Sequence, residues 1–422
     1  MYDFGGFRPE KVQKRTFFKL FFAKMEVNFL FSMKLCIFYS MIERQMSNSL
    51  KKAATEYPVL LVHGPRQSGK TTLCRSIFSD KPYVSMENID TRSRALDDPR
   101  GFFEGYPDGA ILDEIQQAPA LLSYMQQVVD EKKRNGMFIL TGSDNFSLRQ
   151  VTSQSLAGRI ALFTLLPFSM EEIVSQDWLK DVDSRILYGG YPRLVTEKPE
   201  RSFFFRNYIG SYVERDVRQI VNIKDVNLFQ RFLVLCAGRI GSILDYTSLS
   251  NDCGVSVKTV KEWLSILEAS YICFQLNPWF VNRTKRLIKS PKLYFYDTGV
   301  ACALLGINEE SQLNRDPLRG NLFENLVILE KIKKALNTTS SSKFWYYRTT
   351  SGVEVDLVEE RGRSLIPTEI KSSASFHSDF CKNLEVFKSE YPNETTESSV
   401  VYAGTENFTY KEINVRRYDF FR

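Results

Sequence analysis

The chain has 422 residues, enough for two or three domains, and its 43% hydrophobic and 25% charged residues are typical of a globular protein. The net charge of +6 permits a nucleic-acid partner without requiring one. Seven scattered cysteines form no Cys-x-x-Cys pair, which argues against disulfides and zinc and favours a reducing, cytoplasmic compartment. The two histidines, His63 and His377, are too few for histidine-rich metal chemistry or a Ser-His-Asp enzyme to be a good hypothesis.

The N-terminal 40 residues differ from the rest of the chain. Residues 17–42 are rich in apolar and aromatic side chains, but four charged residues interrupt them. A membrane-spanning helix needs about 20 predominantly apolar residues, so no stable membrane insertion is expected. We interpret residues 1–40 as the product of a translation start placed too far upstream, with Met41 as the natural beginning. A peripheral membrane contact is the alternative.

The stretch VLLVHGPRQSGKTT joins an apolar run to a glycine-bounded loop and the beginning of a helix. The apolar run, residues 59–62, predicts a buried parallel strand. The loop follows the pattern G-x-x-x-x-G-K-[ST], which is typical of phosphate-binding loops. The predicted nucleotide-binding residues are Gly64, Pro65, Arg66, Gln67, Ser68, Gly69, Lys70, Thr71 and Thr72.

Each residue type in this loop has a chemical reason. Gly64 and Gly69 let the backbone turn its N–H groups toward phosphate oxygens. Lys70 can reach the β and γ phosphates, and the Thr71 hydroxyl can ligate Mg²⁺. The helix that follows, residues 72–78, directs its N-terminal dipole at the anion. The loop therefore predicts an ATP site with Mg²⁺ as cofactor.

A second nucleotide signal is the stretch GAILDEIQ, which predicts a buried strand ending in Asp113 and Glu114. Asp113 would hold the metal through water, and Glu114 would orient and partly deprotonate the attacking water. The next predicted strand, residues 138–140, has a polar tip that includes Ser143. A hydroxyl there could sense the γ-phosphate or hold the water.

Strands and helices alternate along this part of the chain, which predicts an α/β doubly wound parallel sheet sandwiched by helices, the P-loop NTPase arrangement. The predicted strands lie near residues 58–63, 82–86, 110–112, 137–141 and 161–165. The predicted helices lie near residues 70–78, 91–97 and 119–134. Arg159, just before the last strand, is a candidate trans-acting or sensing arginine, and a plain surface arginine is the alternative.

Several segments, taken in order, resemble the AAA-type ATPase module of a widespread prokaryotic family, in which the module is fused to a C-terminal domain of unassigned function. They are the phosphate-binding loop, ILDEIQ, LTGSDNF, LAGRIALFTLLPFSMEEI, YGGYPRLV, YVERDVRQI and KSPKLYFYDTGVACALLG. The resemblance covers about residues 41–405 and implies an ATPase domain at residues 41–175. It does not imply a particular biological role.

Residues 176–290 are predicted to form a helical and winged-helix segment. The stretch YTSLSNDCGVSVKTVKEWLSILEASYICFQL predicts a helix, a turn, a second helix capped by Ser256, and an apolar strand. Lys258 and Lys261 lie on the outward face of the second helix and could contact DNA phosphates. Packing against the ATPase core or a partner is an equal alternative, because glutamates dilute the positive face.

Residues 291–422 are predicted to form a small α/β nuclease-like domain. Asp356, then Glu369 and Lys371 across a hairpin, with Glu324 on an upstream helix, resemble the core of restriction-endonuclease-like nucleases. Two carboxylates can bind Mg²⁺ and a lysine can position water, so we expect these four groups within metal-bridging reach. A solvated hairpin with paired charges, or a fold kept for binding alone, are the alternatives.

Two classes of function fit these features. One is an ATP-driven machine acting on nucleic acid, with the nuclease-like domain binding or cutting it. The other is a nucleotide-dependent switch whose C-terminal domains grip a protein partner and have no catalytic activity. A homo-oligomer is compatible with both. A small-molecule kinase is a weaker hypothesis, because the Asp113-Glu114 pair and the fused winged helix argue against it.

Overall fold

The computed structural model describes residues 42–143, 156–179, 181–212, 225–279 and 290–419. The unusual N-terminal residues, the end of LTGSDNF and nearly all of YVERDVRQI lie outside the described residues. All elements named below belong to one unit, Arg44–Arg422. Within the described ranges, no helix combines the length and the apolar character needed to cross a membrane.

The first sheet has five parallel strands in the spatial order β2-β3-β4-β1-β5. They are β1 (Val59–His63), β2 (Tyr83–Ser85), β3 (Ala110–Asp113), β4 (Phe138–Gly142) and β5 (Ile160–Thr164). Every residue of β1, β3 and β4 is buried, as the continuous apolar runs predicted. The doubly wound α/β sheet expected from the sequence is therefore confirmed.

Helices cover both faces of this sheet because side chains alternate along each strand. On one face Leu60 and Val62 of β1 share a core with Leu50 and Leu73. On the other face Leu61 shares a core with residues from the helix after β3. The helices are α1 (Ser47–Glu56), α2 (Lys70–Ile77), α3 (Ile89–Asp97), α4 (Pro99–Glu104) and α5 (Leu121–Lys132).

The middle segment is mostly helical and ends in a two-stranded antiparallel sheet. Its elements are α6 (Val182–Tyr188), α7 (Pro192–Glu197), α8 (Arg201–Tyr212), α9 (Val226–Ala237), α10 (Tyr246–Cys253), α11 (Val257–Ala269), β6 (Cys273–Leu276) and β7 (Lys292–Phe295). Helices α10 and α11 flank a turn at Gly254, and the Ser256 hydroxyl accepts a hydrogen bond from the backbone N–H of Thr259. Ser256 therefore caps α11 as predicted.

Residues 298–419 contain four α-helices and a six-stranded sheet in the order β12-β13-β11-β10-β9-β8. Its elements are α12 (Thr298–Leu304), α13 (Glu310–Leu313), α14 (Arg319–Asn337), β8 (Lys343–Arg348), β9 (Glu354–Arg361), β10 (Ser364–Lys371), α15 (Lys382–Glu390), β11 (Ser399–Tyr402), β12 (Phe408–Tyr410) and β13 (Ile413–Arg417). Strands β9 and β10 form an antiparallel hairpin, whereas β11 is parallel to both β10 and β13.

The predicted boundary at residues 290/291 does not separate two packing units. It falls between β6 and β7, which pair with each other, and helix α14 shares one core with the middle segment. Helix α14 also contacts the segment that follows β5. Lys333 Nζ donates to the carbonyl of Phe168 at 2.7 Å, and Glu330 Oε2 accepts from the N–H of Met170 at 2.7 Å. The three parts of the chain are thus joined by buried polar contacts as well as by apolar packing.

Candidate active sites

The loop after β1 has the backbone conformation that its two glycines permit. Gly64 and Gly69 have φ angles of +146° and +92°. A Cβ atom on Gly64 would lie 2.2 Å from the carbonyl oxygen of Leu165, so the loop passes too close to the end of β5 for any other residue. The loop then runs directly into α2, and the first N–H groups of a helix have no partner within that helix, so they can bind an anion.

Lys70 is buried at the base of this loop. Its Nζ atom donates to the carbonyls of Gly64 at 3.0 Å and Pro65 at 2.7 Å. Burial lowers the pKa of Lys70 to about 8, although the negative charges of Glu114 and Asp113 oppose this shift. The ammonium group is therefore held at the loop by neutral acceptors that phosphate oxygens would replace with stronger, charged ones.

Asp113, at the end of β3, lies beside the beginning of α2. Its Oδ1 atom accepts hydrogen bonds from the hydroxyls of Thr71, at 2.7 Å, and Thr141. Its Oδ2 atom accepts from the Tyr83 hydroxyl at 2.8 Å. The two residues predicted to hold Mg²⁺, Thr71 and Asp113, are thus in direct contact. A hydroxyl and a carboxylate suit Mg²⁺, which takes one or two protein ligands and completes its shell with phosphates and water.

Glu114 has a left-handed backbone, with φ at +54°, which is uncommon for a residue other than glycine. Its N–H donates to the Thr141 hydroxyl at 3.3 Å, which fixes this backbone at the end of β3. Its Oε2 atom accepts from the Ser143 hydroxyl at 3.2 Å and from the Gln116 side chain. The structure thus brings Glu114 and Ser143 together, and it adds Gln116 and Tyr83, which the sequence did not single out.

Arg159 does not lie at this site. Its carbonyl accepts from the N–H of Val59 at the beginning of β1, whereas the phosphate-binding loop follows the end of β1. A five-residue strand spans roughly 15 Å, so Arg159 lies at the amino-terminal ends of the strands, and the phosphate-binding loop lies at their carboxyl-terminal ends. Its guanidinium pairs with Asp130 at 2.5 Å on the surface. Within one chain Arg159 is thus a surface residue distant from this loop, and its trans-acting or sensing role stays a prediction.

Arg44 is a buried residue of this region that the sequence did not reveal. Its guanidinium donates to the carbonyls of Ser68 at 2.9 Å and Leu166 at 2.6 Å. It also pairs with Glu172 at 3.0 Å and lies over the Phe168 ring at 4.7 Å. Arg44 therefore ties the phosphate-binding loop to the segment after β5.

The residues predicted for the C-terminal site form a second cluster. Lys371 Nζ lies 2.6 Å from Glu369 Oε1 and 3.7 Å from Asp356 Oδ2, so all three share one face of the β9–β10 hairpin. Asp356 Oδ2 also accepts from the N–H of Ile370 at 2.8 Å. The shared face expected from period-2 alternation is thus present.

The metal-bridging arrangement expected for this cluster is not found. Glu324 pairs with Lys292 at 3.2 Å, and the same ammonium group contacts Glu354 at 2.5 Å. Glu324 also accepts from the Tyr294 hydroxyl. Within the described ranges, no group of three His, Cys, Asp or Glu side chains is suited to hold a metal ion. Lys292, contributed by β7, neutralises Glu324 instead, so we derive no metal-dependent step at this cluster.

The carboxyls of the cluster predict a pH dependence of stability. Burial raises the pKa of Glu324 and Glu369, and the charge of Asp356 raises both further. A carboxyl with a higher pKa in the folded chain binds its proton more tightly when folded. Its contribution to stability is therefore complete below its ordinary pKa of about 4.5 and is lost as the pH rises toward the folded pKa.

We expect the thermal unfolding midpoint of the protein to decrease as the pH is raised from about 5 to about 8. The Glu369→Gln variant should lose less stability over this range, because glutamine mimics the neutral acid. The exposed Glu394→Gln variant is the matched control. Equal pH slopes for the wild type and Glu369→Gln in thermal unfolding would contradict the raised pKa.

The chain matches three family models. Residues 56–174 match a model described as an AAA domain. Residues 179–311 and 319–419 match two domains of unknown function, DUF8612 and DUF4143. The first match contains the phosphate-binding loop, Asp113, Glu114 and Ser143. The match to DUF8612 contains both β6 and β7, the two strands that pair with each other.

Two uncharacterised proteins, one from Mycobacterium bovis and one from Mycobacterium tuberculosis, are similar to the chain over most of its length. Each is 32% identical over 336 residues, which covers 79% of this chain and 74% of the relative. The similarity therefore extends well beyond the matched AAA domain.

Two solved structures also resemble the chain at low similarity. AMPPCP-bound DnaA from Aquifex aeolicus is 14% identical and covers 53% of this chain and 85% of its own, with a TM-score of 0.25. A RuvB variant from Thermotoga maritima is 20% identical and covers 55% of this chain and 87% of its own, with a TM-score of 0.27. TM-scores this low support no argument about this chain.

Proposed function

The chain belongs to the family of the two mycobacterial proteins, and we propose that it is a Mg²⁺-dependent ATPase that couples ATP hydrolysis to the binding of nucleic acid. The observation that carries the ATPase part is the convergence of side chains at one edge of the parallel sheet. Lys70 and Thr71 open α2, Asp113 and Glu114 end β3, and Ser143 follows β4. The Thr71–Asp113 and Ser143–Glu114 hydrogen bonds bring the ends of these elements together, within the residues that match an AAA domain.

Each side chain has a role in this proposal. The loop N–H groups and Lys70 bind the β and γ phosphates. Thr71 and Asp113 would hold Mg²⁺, which neutralises charge on the phosphate oxygens when it is bound. Glu114 orients the attacking water and accepts its proton, and Ser143 holds the Glu114 carboxylate by the hydrogen bond described above.

The experiment that tests the ATPase proposal is phosphate release from MgATP, with and without EDTA. The same preparation is assayed with duplex DNA and with single-stranded DNA. Turnover that requires Mg²⁺ and rises with DNA supports the full proposal. Turnover without any response to DNA supports only the ATPase part, and a lack of turnover and of ATP binding refutes it.

The nucleic-acid part of the proposal is supported by the exposed face of α11, the second helix of a helix-turn-helix followed by an antiparallel pair of strands. The Lys258 side chain is 84% exposed and lies 3.9 Å from Glu262, a separation too long for a tight pair. The Lys261 ammonium lies over the Tyr246 ring at 5.2 Å. Both cations are available to phosphates at the surface.

We expect the Lys258→Ala/Lys261→Ala variant to bind all DNA sequences more weakly. The slope of log affinity against log salt should become shallower by about 0.9 for each lost phosphate contact. The matched control is Lys51→Ala/Lys52→Ala, which removes two exposed lysines from α1. Fluorescence anisotropy over a salt series gives both quantities. An unchanged affinity and slope in a folded variant would assign α11 to packing instead.

A second candidate function is a nucleotide-dependent switch that grips a protein partner, with a C-terminal domain that has no catalytic activity. The observation that favours it is Lys292, which neutralises Glu324 in the cluster that would otherwise resemble a nuclease site. Incubation of DNA and RNA with the protein in Mg²⁺ or Mn²⁺ separates the two candidates. Cleavage by the wild type that is lost in Asp356→Asn would establish a nuclease. If the wild type cleaves nothing and DNA does not stimulate its ATP turnover, the switch is favoured.

Two further properties belong to this proposal. A homo-oligomer would allow Arg159 to act on a neighbouring copy, and Arg159→Ala should then reduce turnover only under conditions in which the protein assembles.

A cytoplasmic location is supported by the cysteines that the structure describes, all six of which are unpaired and buried.

A further inference from the structure

His63 is the last residue of β1 and immediately precedes the phosphate-binding loop. Its Nδ1 atom shares a hydrogen bond with the hydroxyl of Tyr271, which belongs to the middle segment. The two ring centroids are 5.9 Å apart, and both side chains are buried. On its other side the imidazole Nε2 atom lies 3.4 Å from the Thr164 hydroxyl at the end of β5. His63 is thus contacted by Tyr271 on one side and by Thr164 on the other.

Tyr271 reaches His63 from the turn between α11 and β6. Its φ angle of +59° is left-handed, an unfavourable conformation for an aromatic residue. Its N–H donates to the Glu268 carbonyl at 3.1 Å, and the N–H of Ile272 donates to Leu267 at 2.9 Å. These bonds close the C-terminal end of α11, so the position of the phenol depends on the position of that helix.

The residue before Tyr271 lies close to the phosphate-binding loop. Ser270 lines a small cavity together with Arg66 and Gln67 of the phosphate-binding loop and Ser143 at the end of β4. This is the side on which Ser143 meets Glu114. One turn of the middle segment therefore contacts His63, the residue before the loop, and also borders a cavity lined by Arg66 and Gln67 of the loop.

We propose that Tyr271 is a positioning residue for the phosphate-binding loop and that, through it, nucleotide binding changes the stability of helix α11. The inference rests on the proposed ATPase function. Coupling between two binding sites is reciprocal. If nucleotide binding changes the affinity of α11 for a ligand by some factor, that ligand changes the affinity for nucleotide by the same factor. The hydrogen bond between Tyr271 and His63 is the contact through which the two sites interact.

The test uses Tyr271→Phe, which keeps the ring and removes only the hydroxyl. The affinity of the full chain for a non-hydrolysable ATP analogue with Mg²⁺ should fall by a factor of about 2 to 10, the range that one hydrogen bond contributes. In the wild type, the analogue should slow amide hydrogen exchange in residues 257–269. This protection should be reduced or lost in Tyr271→Phe.

Tyr246→Phe is the matched control, because it removes one hydroxyl of the same segment, which donates to the Gln275 side chain at 2.9 Å. It should leave both readouts unchanged. A double-mutant cycle with His63→Phe provides a second measure. If the two side chains act through their shared bond, Tyr271→Phe should cause little further loss of affinity in the His63→Phe background.

The outcomes separate the inference from the function on which it rests. The inference is refuted if the wild type binds the ATP analogue and Tyr271→Phe shows the same affinity and the same protection of α11. The ATPase proposal would then still stand. Equal losses in Tyr246→Phe and Tyr271→Phe refute it as well, since they indicate a general loosening of the segment. A wild-type chain that binds no nucleotide refutes the ATPase proposal itself, and the inference with it.

Discussion

Replacing Glu114 with glutamine is expected to reduce ATP hydrolysis by a factor of about 10² to 10⁴, the usual contribution of a general base, and to leave MgATP binding intact. Glutamine has nearly the same shape and keeps an oxygen that can accept from Ser143. It cannot accept the proton of the attacking water. Lys70, Thr71 and Asp113 remain in place, so the phosphates and the metal should bind as before.

The matched control is Glu131→Gln on the exposed face of α5, which should hydrolyse ATP at the wild-type rate. Steady-state phosphate release gives kcat, and equilibrium binding of a fluorescent ATP analogue gives the dissociation constant. A wild-type kcat in Glu114→Gln would show that another group activates the water. A loss of binding would instead place Glu114 among the residues that hold the nucleotide.

Lys70→Ala provides the contrasting result. This variant removes the cation that we propose binds the phosphates, so nucleotide binding itself should be lost or strongly weakened. The two variants together separate binding from chemistry, because one should fail before the nucleotide is held and the other only after it.

The arrangement of the nucleotide site could be predicted from the sequence because it follows from local patterns and one rule of topology. Apolar runs predicted the strands, and the carboxyl ends of parallel strands meet at one edge. This rule brings together residues at or just beyond the carboxyl ends of different strands, such as Asp113 and Ser143. The same rule explains why Arg159 is absent from the site, since it precedes a strand and lies at the opposite edge.

The contacts that the sequence did not reveal join residues far apart in the chain. Arg44 pairs with Glu172, 128 positions later, and His63 bonds with Tyr271, 208 positions later. Lys292 enters the C-terminal cluster from a strand of another segment. No periodicity or short spacing encodes such pairs, because they depend on how separate elements pack. The Asp356, Glu369 and Lys371 group was predictable only because one hairpin carries all three.

Arg44 should make a large contribution to the stability of the fold. It is 7% exposed and the Glu172 side chain is fully buried. Removing one partner of a buried ion pair leaves an uncompensated charge and typically costs about 3–5 kcal/mol. The Arg44→Ala variant would also leave the buried carbonyls of Ser68 and Leu166 without this donor. We therefore expect a loss of unfolding free energy of this size.

The control for charge removal is Arg134→Ala. Arg134 pairs with Asp108 at 2.9 Å on the surface, with side chains 48% and 86% exposed, so its loss should cost at most about 1 kcal/mol. Urea unfolding of both variants gives the comparison. Similar losses in the two variants would show that the Arg44–Glu172 pair is not what stabilises this region.

The Arg44→Ala/Glu172→Gln double variant tests the physical reason for the loss. Glutamine removes the unpaired charge but can still accept from the N–H of Gln45 or of Ser169, which both donate to Glu172 in the wild type. The double variant should therefore be more stable than Arg44→Ala alone. In both variants the affinity for MgATP should be lower than in the wild type, because the Ser68 carbonyl in the phosphate-binding loop lacks its donor. Recovery of affinity together with stability would mean that Arg44 acts on the nucleotide site only through the fold.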